Sequence, residues 1–434
     1  MRPIRLSFRF LHVALVVIGA FFGYLFARLS SGGGGDEARD RLRGVHLAGL
    51  LERLGATYIK FGQILSTRPD LLPPGIIEGL SKLQDRVAPA SFEAIDRVLK
   101  SELGEDGERS LGRIDPVPVA AASVAQVHRA TRPDGTVVAV KIQRPAVEGQ
   151  VDRDLTLLMI GARLLNLVPT IRLLSLPGAV ERFADAMKKQ LDFRNEAENN
   201  RRFARNFADV AHLAVPKLVD ELCTRRVLVM EFVDGVRATE PEKVGGDRKA
   251  LAIAGFEAML RMVFADGFIH ADLHPGNILL TPDDRVVLID LGLVAEIPDD
   301  MRRPWVETFM ALSARDGAGA ARLFYGHAPS VGSLDFPSFA RDVEAEFEKL
   351  NGKVLGELEA SRVLSDMMTV LRKHRIQIDP VFTVVNIAML VAEGLGKQLD
   401  PGLDIVPLAT PYIANALVSS PPGRPMLREV PAVA

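Results

Sequence analysis

The chain has 434 residues, of which 48% are apolar and 25% are charged, and its formal net charge at pH 7 is −2. This balance is typical of a globular protein large enough for more than one domain. No run of Lys and Arg with interleaved aromatic residues occurs, so we expect no nucleic-acid partner. Cys223 is the only cysteine, which excludes an internal disulfide, a thiolate zinc cluster and a CxxC redox pair.

An apolar segment lies near the start of the chain. Residues 10–27 carry no formal charge and are bracketed by Arg9 and Arg28. As a helix this segment would span roughly 27 Å, close to the hydrocarbon thickness of about 30 Å. We predict a membrane segment with basic flanks over residues 1–30, with a signal peptide and a buried helix as alternatives. Arginines on both sides leave its orientation open on charge alone.

The rest of the chain is predicted to form an α+β protein. Residues 31–44 include four consecutive glycines and predict a flexible tether, and residues 45–115 have apolar residues at helical spacing, which predicts a helical extension. We expect a sheet-bearing lobe with a helical insertion over residues 116–235, a helical lobe over 236–410 and a Pro-rich tail over 411–434.

Several segments define these lobes further. Two β-rich runs flank the turn formers Pro133, Asp134 and Gly135, which predicts a hairpin. Helical patterns cover residues 147–207, and residues 215–235 contain two more predicted strands. The second lobe is predicted to be helical outside residues 270–292.

The segment HADLHPGNILL, residues 270–280, places Asp272 and Asn277 ahead of an apolar run. In phosphoryl transfer an Asp orients the attacking hydroxyl, and an Asn on the same loop binds magnesium. Asp290 then follows an apolar strand, with Gly292 two residues later, as in a metal-binding D-x-G turn. These residues fall within nineteen positions in that order. We predict a phosphotransferase-type site with Asp272 as catalytic residue and with Asn277 and Asp290 as magnesium ligands.

Two histidines flank Asp272, but a zinc site is not expected. The chain has no H-E-x-x-H helix and no second cysteine. We predict that His270 and His274 brace the loop by hydrogen bonds.

The sequence VAVK ends the predicted hairpin at Lys141, as in kinases that present a Lys to the phosphates from a strand. Glu196, on a helical pattern in LDFRNEAENN, is predicted to form an ion pair with Lys141 and to aim it, although Glu198 lies nearby. A solvated strand-end Lys is the alternative.

The predicted cover of the phosphates is AAASVAQVH, in place of a Gly-rich loop. Alanine carries a Cβ, so this cover should be stiffer than one made of glycine. No P-loop and no strand-linked G-x-G-x-x-G occurs, and no A-P-E marks a peptide-substrate platform. The residues predicted to contact the nucleotide here are Ala120, Ala121, Ala122, Ser123 and Val124.

Together these motifs resemble the UbiB family of atypical kinases, which includes mitochondrial kinase-like proteins of coenzyme Q biosynthesis. KFGQILSTRPDLLP, residues 60–73, is similar to the family's K-x-G-Q signature, and the Ala-rich loop, VAVK, HADLHPGN and IDLG match its other motifs. The resemblance extends from about residue 45 to about residue 410. It implies a bilobal protein-kinase-like fold whose helical extension folds over the cleft, with binding of ATP or ADP and Mg²⁺.

The resemblance also implies a setting and further site residues. Family members support the synthesis or handling of isoprenoid lipids such as ubiquinone, so we expect a membrane lipid or isoprenoid-lipid substrate and possible contacts with quinone-biosynthesis proteins. ATP supply requires the kinase-like body to be cytoplasmic. The further residues expected to bind the nucleotide are Lys60, Gln63, Glu231 and Val233.

One position departs from the family pattern. Where the family carries an E-x-D pair before the Glu of the ion pair, this chain has Gln190 and Asp192. We expect Lys60 to contact Asp192 or the nucleotide phosphates, and to be held less firmly than in relatives with both acids. The alternative is that KFGQ is only a helix-packing motif with a solvated Lys60.

Three functions are consistent with these motifs. The first is a membrane-associated atypical kinase or ATPase that supports isoprenoid-lipid metabolism. The second is a small-molecule phosphotransferase of the aminoglycoside or choline kinase type, which also resembles HADLHPGNIL followed by LID, although KFGQ and AAAS argue against it. The third is a non-catalytic nucleotide-binding scaffold.

Overall fold

The structure is a computed structural model, and it describes residues 2–30, 35–66, 72–83, 88–168, 176–331, 335–349 and 360–430. Residues 31–34 of the predicted tether and residues 67–71 of the predicted K-x-G-Q segment lie outside the described residues. The chain divides into two compact units. The first comprises Met1–Arg68, Leu72–Asn200 and Pro216–Phe232, and the second comprises Arg201–Val215 and Val233–Ala434.

The helices and strands are numbered here in chain order over the described residues. The helices are α1 (Arg2–Ser30), α2 (Asp36–Leu54), α3 (Ala56–Ser66), α4 (Pro74–Leu80), α5 (Phe92–Leu111), α6 (Val147–Leu165), α7 (Leu176–Gln190), α8 (Phe193–Asn206), α9 (Arg248–Leu260), α10 (Asp299–Ser313), α11 (Gly317–His327), α12 (Phe336–Glu348), α13 (Ala360–Lys373), α14 (Pro380–Leu399) and α15 (Ile405–Ser419). The strands are β1 (Arg113–Ile114), β2 (Ala120–Ala121), β3 (Ala125–Thr131), β4 (Val137–Gln143), β5 (Leu213–Ala214), β6 (Val227–Glu231), β7 (Val236–Arg237), β8 (Phe268–His270), β9 (Ile278–Leu280), β10 (Val286–Leu288), β11 (Val294–Glu296), β12 (Ser330–Val331) and β13 (Ile376–Gln377). The α+β class is therefore confirmed.

The first unit contains an antiparallel sheet with strand order β1-β3-β4-β6. Strand β2 pairs with β3 at Gln126 and Val127, ahead of the residues of β3 that pair with β1. The predicted hairpin is confirmed: β3 and β4 pair from Thr131 opposite Val137 onward. Its turn is closed by Asp134, whose Oδ1 accepts the Thr136 N–H at 2.8 Å, and by Gly135 at a φ of 86°. A Gly tolerates this left-handed conformation without a Cβ clash.

The predicted tether is shorter than expected, because α2 begins at Asp36. The acidic residues in its first turn interact favourably with the helix dipole. Arg41 also forms an ion pair with Glu37, one turn earlier, at 3.0 Å. The helix also packs closely on α4, since a Cβ at Gly44 would clash with the backbone of Gly75. Local ion pairs and tertiary packing thus keep residues 36–44 helical.

Residues 215–235 form one strand, β6, where two were predicted. Asp220–Leu222 is a 3₁₀ turn, and Leu218 makes a single isolated bridge to Met230. The turn places Leu222 in the core and takes the chain out of the ladder.

The second unit packs helices α9 to α15 around one large apolar core. It includes part of the predicted first lobe, because β5 pairs in parallel with β10, with Leu213 opposite Val286. It also contains short strands outside residues 270–292, where only helix was predicted: β7, β11, β12, β13 and the first two residues of β8. Pairing between strands that are distant in sequence, which local periodicity does not reveal, decides all of them.

The predicted Pro-rich tail is partly helical, since α15 extends to Ser419. Its Tyr412 hydroxyl donates to Glu257 Oε1 on α9 at 2.8 Å, which fixes the helix on the core. Beyond it, the Arg424 N–H donates to Asp300 O at 2.8 Å and the Leu427 N–H donates to Gly326 O at 2.7 Å. The tail therefore packs on the second unit.

Helix α9 continues into a π-helical turn, Arg261–Ala265, and Asp266 follows with its side chain 14% exposed. Asp266 Oδ2 lies 3.6 Å from Arg261 Nε and has no hydrogen-bond partner within the described part of the chain. Burial raises the pKa of Asp266 to about 6, and the charge of Arg261 offsets only part of this effect. Compared with the unfolded chain, the folded state thus shifts the equilibrium of this carboxyl toward its protonated form.

We predict that Asp266→Asn raises the thermal midpoint by a few degrees at pH 7.5 and by much less at pH 4.5. Because the folded pKa is raised, the stability contributed by Asp266 is complete below its unfolded pKa and is lost as pH rises through about 6. Differential scanning fluorimetry of variant and wild type across this range measures the difference. Asp209→Asn is the control: a hydrogen bond from Arg261 lowers the pKa of Asp209, so its loss should not stabilise the protein at any pH. A pH-independent difference for Asp266→Asn would contradict the prediction.

Candidate functional site

A buried ion pair joins the sheet of the first unit to helix α8. Lys141 Nζ on β4 donates to both carboxylate oxygens of Glu196, each at 2.8 Å. The two side chains are only 11% and 6% exposed. The predicted pairing is confirmed, and Lys141 is not a solvated strand-end residue. The Glu196 carboxylate orients the Lys141 ammonium group and balances its charge, which would otherwise be costly to bury.

An aromatic ring that the sequence analysis missed completes this arrangement. Lys141 Nζ lies 5.6 Å from the ring centroid of Phe193, which is fully buried. Phe193 precedes Glu196 by three residues on α8, so both side chains lie on one helix face. That spacing is the signal that could have identified it.

The segment before α8 holds the position where the chain departs from the family pattern. Asp192 accepts hydrogen bonds from Arg194 Nε at 2.9 Å and Nη2 at 2.6 Å. The Arg194 side chain lowers the pKa of Asp192. Gln190 is half-buried at the end of α7. The one acid of the expected pair is therefore ionised and bound to a neighbouring arginine.

The Ala-rich loop is a tight turn between β2 and β3. Ala121 pairs with Gln126, and the Ala122 N–H donates to Ala125 O at 2.9 Å, which leaves Ser123 and Val124 at the tip. Ser123 is buried, and the tip shares a cavity of about 20 Å³ with residues of three helices. The other lining residues are Ala56 and Thr57 of α3, Val147, Gln150 and Val151 of α6, and Met187 of α7. The extension thus packs beside the predicted phosphate cover.

The K-x-G-Q residues lie on α3 of the same unit. Lys60 is 8% exposed, so the alternative of a solvated Lys60 is wrong. Gln63 Nε2 donates to Leu83 O at 3.2 Å, while its Oε1 is buried without a hydrogen-bond partner among the described residues. A buried amide oxygen with no partner in this part of the chain is available to accept a hydrogen bond from a ligand.

Glu231 and Val233 lie at the end of β6 and just after it. Glu231 pairs with Val138 in the sheet, and its N–H donates to Lys217 O at 2.7 Å. Both residues are half-buried. Their assignment to nucleotide binding stays a prediction.

In the second unit, the loop after β8 is fixed by hydrogen bonds to the segment after β10. Asn277 Nδ2 donates to Asp272 O at 3.0 Å, and the Ile289 N–H donates to Asn277 O at 3.0 Å. Asp290 follows with a φ of 57°. This lies in the left-handed region, which is unfavourable in free energy for any residue that has a Cβ. The three predicted phosphotransfer residues are therefore brought together, with strained backbone at Asp290.

The two histidines brace this loop as predicted. The Asp272 N–H donates to His270 Nδ1 at 3.2 Å, so His270 carries its proton on Nε2, which donates to Ile289 O at 3.0 Å. Burial lowers the pKa of His270, which keeps the ring neutral. His274 Nδ1 accepts the Gly276 N–H at 3.1 Å.

The donor set suits magnesium better than zinc. Asn277 and Asp290 offer an amide oxygen and a carboxylate, the hard ligands that Mg²⁺ prefers when phosphates complete its shell. Over the described ranges, no group of three or more His, Cys, Asp or Glu could hold a metal ion. Residues 270–292 thus fit a metal that arrives with a phosphorylated ligand.

These features define a protein-kinase-like protein: a strand Lys aimed by a helix Glu in one unit, and an Asp–Asn loop followed by D-x-G in the other. The chain matches the ABC1 atypical kinase-like domain over residues 82–324 and the UbiB helical domain over residues 343–404. It is 36% identical over 384 residues to a protein of Aeromonas hydrophila named probable protein kinase UbiB, covering 86% of this chain and 70% of that protein. The chain belongs to the UbiB family of atypical kinases.

Two further proteins are similar to the chain. The chloroplastic protein ACTIVITY OF BC1 COMPLEX KINASE 3 of Arabidopsis thaliana is 31% identical over 431 residues, which cover 97% of this chain and 60% of that protein. The structure of Rv3197 of Mycobacterium tuberculosis, solved with erythromycin, superposes with a TM-score of 0.52 at 23% identity, covering 87% of this chain and 98% of that one. The latter likeness shows the fold.

We predict that Lys141 and Glu196 are energetically coupled by about 1–3 kcal/mol in a double-mutant cycle. Lys141→Met and Glu196→Gln should each destabilise the protein, because each removes one partner of a buried ion pair, and the double variant should recover part of the loss. Urea unfolding of the four proteins gives the coupling. The solvent-accessible pair Lys100–Asp96 of α5, at 2.6 Å, is the control and should show coupling close to zero. Equal coupling in the two cycles would mean that burial does not strengthen the Lys141 pair.

Proposed function

We propose that the protein is a membrane-associated, ATP-dependent kinase or ATPase that supports isoprenoid-lipid metabolism of the ubiquinone type. The observation that carries the proposal is the buried Lys141–Glu196 pair, since a kinase-like protein that had lost nucleotide chemistry would not need an aimed, buried ammonium group. ATP or ADP with Mg²⁺ is the proposed ligand.

Each predicted residue then has a role. Lys141 neutralises charge on the phosphates and Glu196 orients it, while backbone of the Ala-rich loop, Ala120 to Val124, contacts the nucleotide. Asn277 and Asp290 hold magnesium, which supplies positive charge at the phosphates when it is bound.

The Asp272 carboxylate accepts the proton of the acceptor hydroxyl, or orients water if the enzyme is an ATPase. The backbone of Asp272 is held by hydrogen bonds to His270 and Asn277, so the placement of this backbone does not require the ligand. The two histidines hold no metal in this proposal.

The names of relatives support the setting, because several are called UbiB protein kinase. We propose a membrane lipid or isoprenoid lipid as substrate, with possible quinone-biosynthesis proteins as partners, no nucleic acid, and a cytoplasmic kinase-like body. Support for the membrane comes from α1, one of two helices in the described residues that are long and apolar enough to span a bilayer. The other, α14, is largely buried in the core of the second unit.

We predict that Asp290→Asn abolishes Mg²⁺-dependent stabilisation by ATP, because it removes the one carboxylate proposed to bind the metal. A ligand at about 100 times its Kd stabilises a protein by about 2.7 kcal/mol, which thermal-shift titration detects readily. Asp272→Asn should keep this stabilisation and lower ATP turnover by about 10²- to 10⁴-fold.

Asp283→Asn is the control for both variants, since Asp283 is an exposed acid of the following turn, paired with Arg285. The same variants are tested for restoring quinone content in a deletion strain. Wild-type stabilisation of Asp290→Asn by MgATP would refute the metal assignment. Restoration of quinones by Asp272→Asn would favour the non-catalytic scaffold, and normal quinones in the deletion strain would refute the proposed pathway.

We predict that Lys60→Ala weakens nucleotide affinity about tenfold or more, because a charge-assisted contact contributes about 1.5–3 kcal/mol. Gln190→Glu should alter the same affinity by offering Lys60 a competing carboxylate. Isothermal titration with MgATP and MgADP measures both. Lys82→Ala is the control, because Lys82 is an exposed lysine of the extension, paired with Glu78. If Lys60→Ala and Gln190→Glu both match the wild type, Lys60 has no role in the nucleotide site.

A further inference from the structure

Helix α1 contacts the rest of the first unit at two points that are far apart along its length. Near its start, Arg9 Nε donates to Asp154 Oδ1 at 2.7 Å and its Nη2 donates to Leu54 O at 2.6 Å. Near its other end, the Tyr24 and His46 rings are in edge contact, with centroids 5.7 Å apart. Arg9 and Tyr24 are fifteen residues apart in sequence, or roughly 22 Å along a helix. Helix α1 therefore lies alongside α2 over most of its apolar stretch.

The contacts with the extension come from one stripe of α1. Val13 and Val16 pack on the apolar cluster of α2, α3 and α4, and Ala20 is half-buried between them and Tyr24. With Arg9, these positions follow the spacing of one helix face.

Most of the remaining α1 surface is apolar and exposed, and His12 is the exposed polar side chain within residues 10–27. Its exposed large apolar residues have exposed fractions from 38% to 77%, and no residue from 10 to 27 carries a formal charge. These residues are Phe8, Phe10, Leu11, Leu15, Val17, Ile18, Phe21, Phe22, Leu25, Phe26 and Leu29. An apolar surface of this extent marks a site of interaction.

The docked helix cannot cross a bilayer. Helix α2 runs beside it and exposes charged side chains, among them Arg43, Glu52 and Arg53, which would enter the hydrocarbon with it. If α1 left α2 to cross alone, Asp154 would lose the Arg9 guanidinium. The Asp154 side chain is 0% exposed, and an unpaired carboxylate at such a site is strongly disfavoured.

We infer that α1 lies in the plane of the membrane interface, with its exposed apolar face in the lipid and its opposite stripe on the protein. Helices that lie in an interface normally carry a polar face toward water. In this protein α2 and the Arg9–Asp154 pair occupy that side. The partner is a lipid bilayer surface, and the inference rests on the membrane association proposed above while specifying how the helix meets the membrane.

Depth measurement at three positions tests the inference. Leu11, Ile18 and Leu25 are seven residues apart, so they form one line on the exposed face, opposite the docked stripe. Each is changed to Cys in the full chain carrying Cys223→Ser, and labelled with a small fluorophore. The proteins are bound to vesicles of phosphatidylethanolamine and phosphatidylglycerol that contain lipids brominated at shallow or deep chain positions.

An in-plane helix gives equal quenching at all three positions, strongest with the shallow bromines. A crossing helix places Ile18 roughly 10 Å deeper than the other two, so strong quenching of Ile18 alone by deep bromines would overturn the inference. A label at Glu105→Cys, an exposed position of α5, is the unquenched control.

A second measurement tests docking in the membrane. A short bismaleimide should cross-link Tyr24→Cys to His46→Cys in vesicle-bound protein, and failure to do so would also overturn the inference. If the wild type does not sediment with vesicles, membrane association itself fails, along with the inference. Dimers cross-linked through Ile18→Cys, without vesicle binding, would assign the apolar face to a second copy of the chain.

Discussion

The arrangement of the first unit depends on a lysine that has to be buried with its counter-ion. Lys141 on a strand and Glu196 on a helix are fifty-five residues apart in sequence, and their side chains meet with almost no exposure to solvent. A pair of apolar residues of similar volume would stabilise such a site at least as well. The pair therefore fixes the position of α8 relative to the sheet, and its chemistry, an aimed ammonium group, is what an apolar pair would lack.

In the second unit, hydrogen bonds hold the loop that carries Asp272 and Asn277 ahead of strand β9. Neutral His270 binds the backbone on both sides, and Asn277 ties the Asp272 carbonyl to the segment before Asp290. The backbone at Asp290 is held in a conformation that few residues with a Cβ adopt. Hydrogen bonds within the loop therefore fix its backbone, which is the preorganisation that the proposed phosphotransfer would need.

The same rule on buried charge explains the extension. Asp154 is a lone acid on the buried face of α6, and the guanidinium that neutralises it comes from α1. Tyr58 packs beneath that guanidinium, two residues before Lys60. One network thus links the N-terminal helix to the helix that carries the K-x-G-Q signature.

The sequence by itself determined the protein family and many of the local elements. Asp272, Asn277 and Asp290 are close in sequence, and the β3–β4 hairpin follows from its turn residues, so short-range spacing was sufficient to predict them. The tertiary structure decided where α2 begins, which unit holds β5, the helical start of the tail, and the partner of Asp154. Each of these depends on a contact between distant segments, such as the 145 residues between Arg9 and Asp154, and local periodicity carries no information about such pairings.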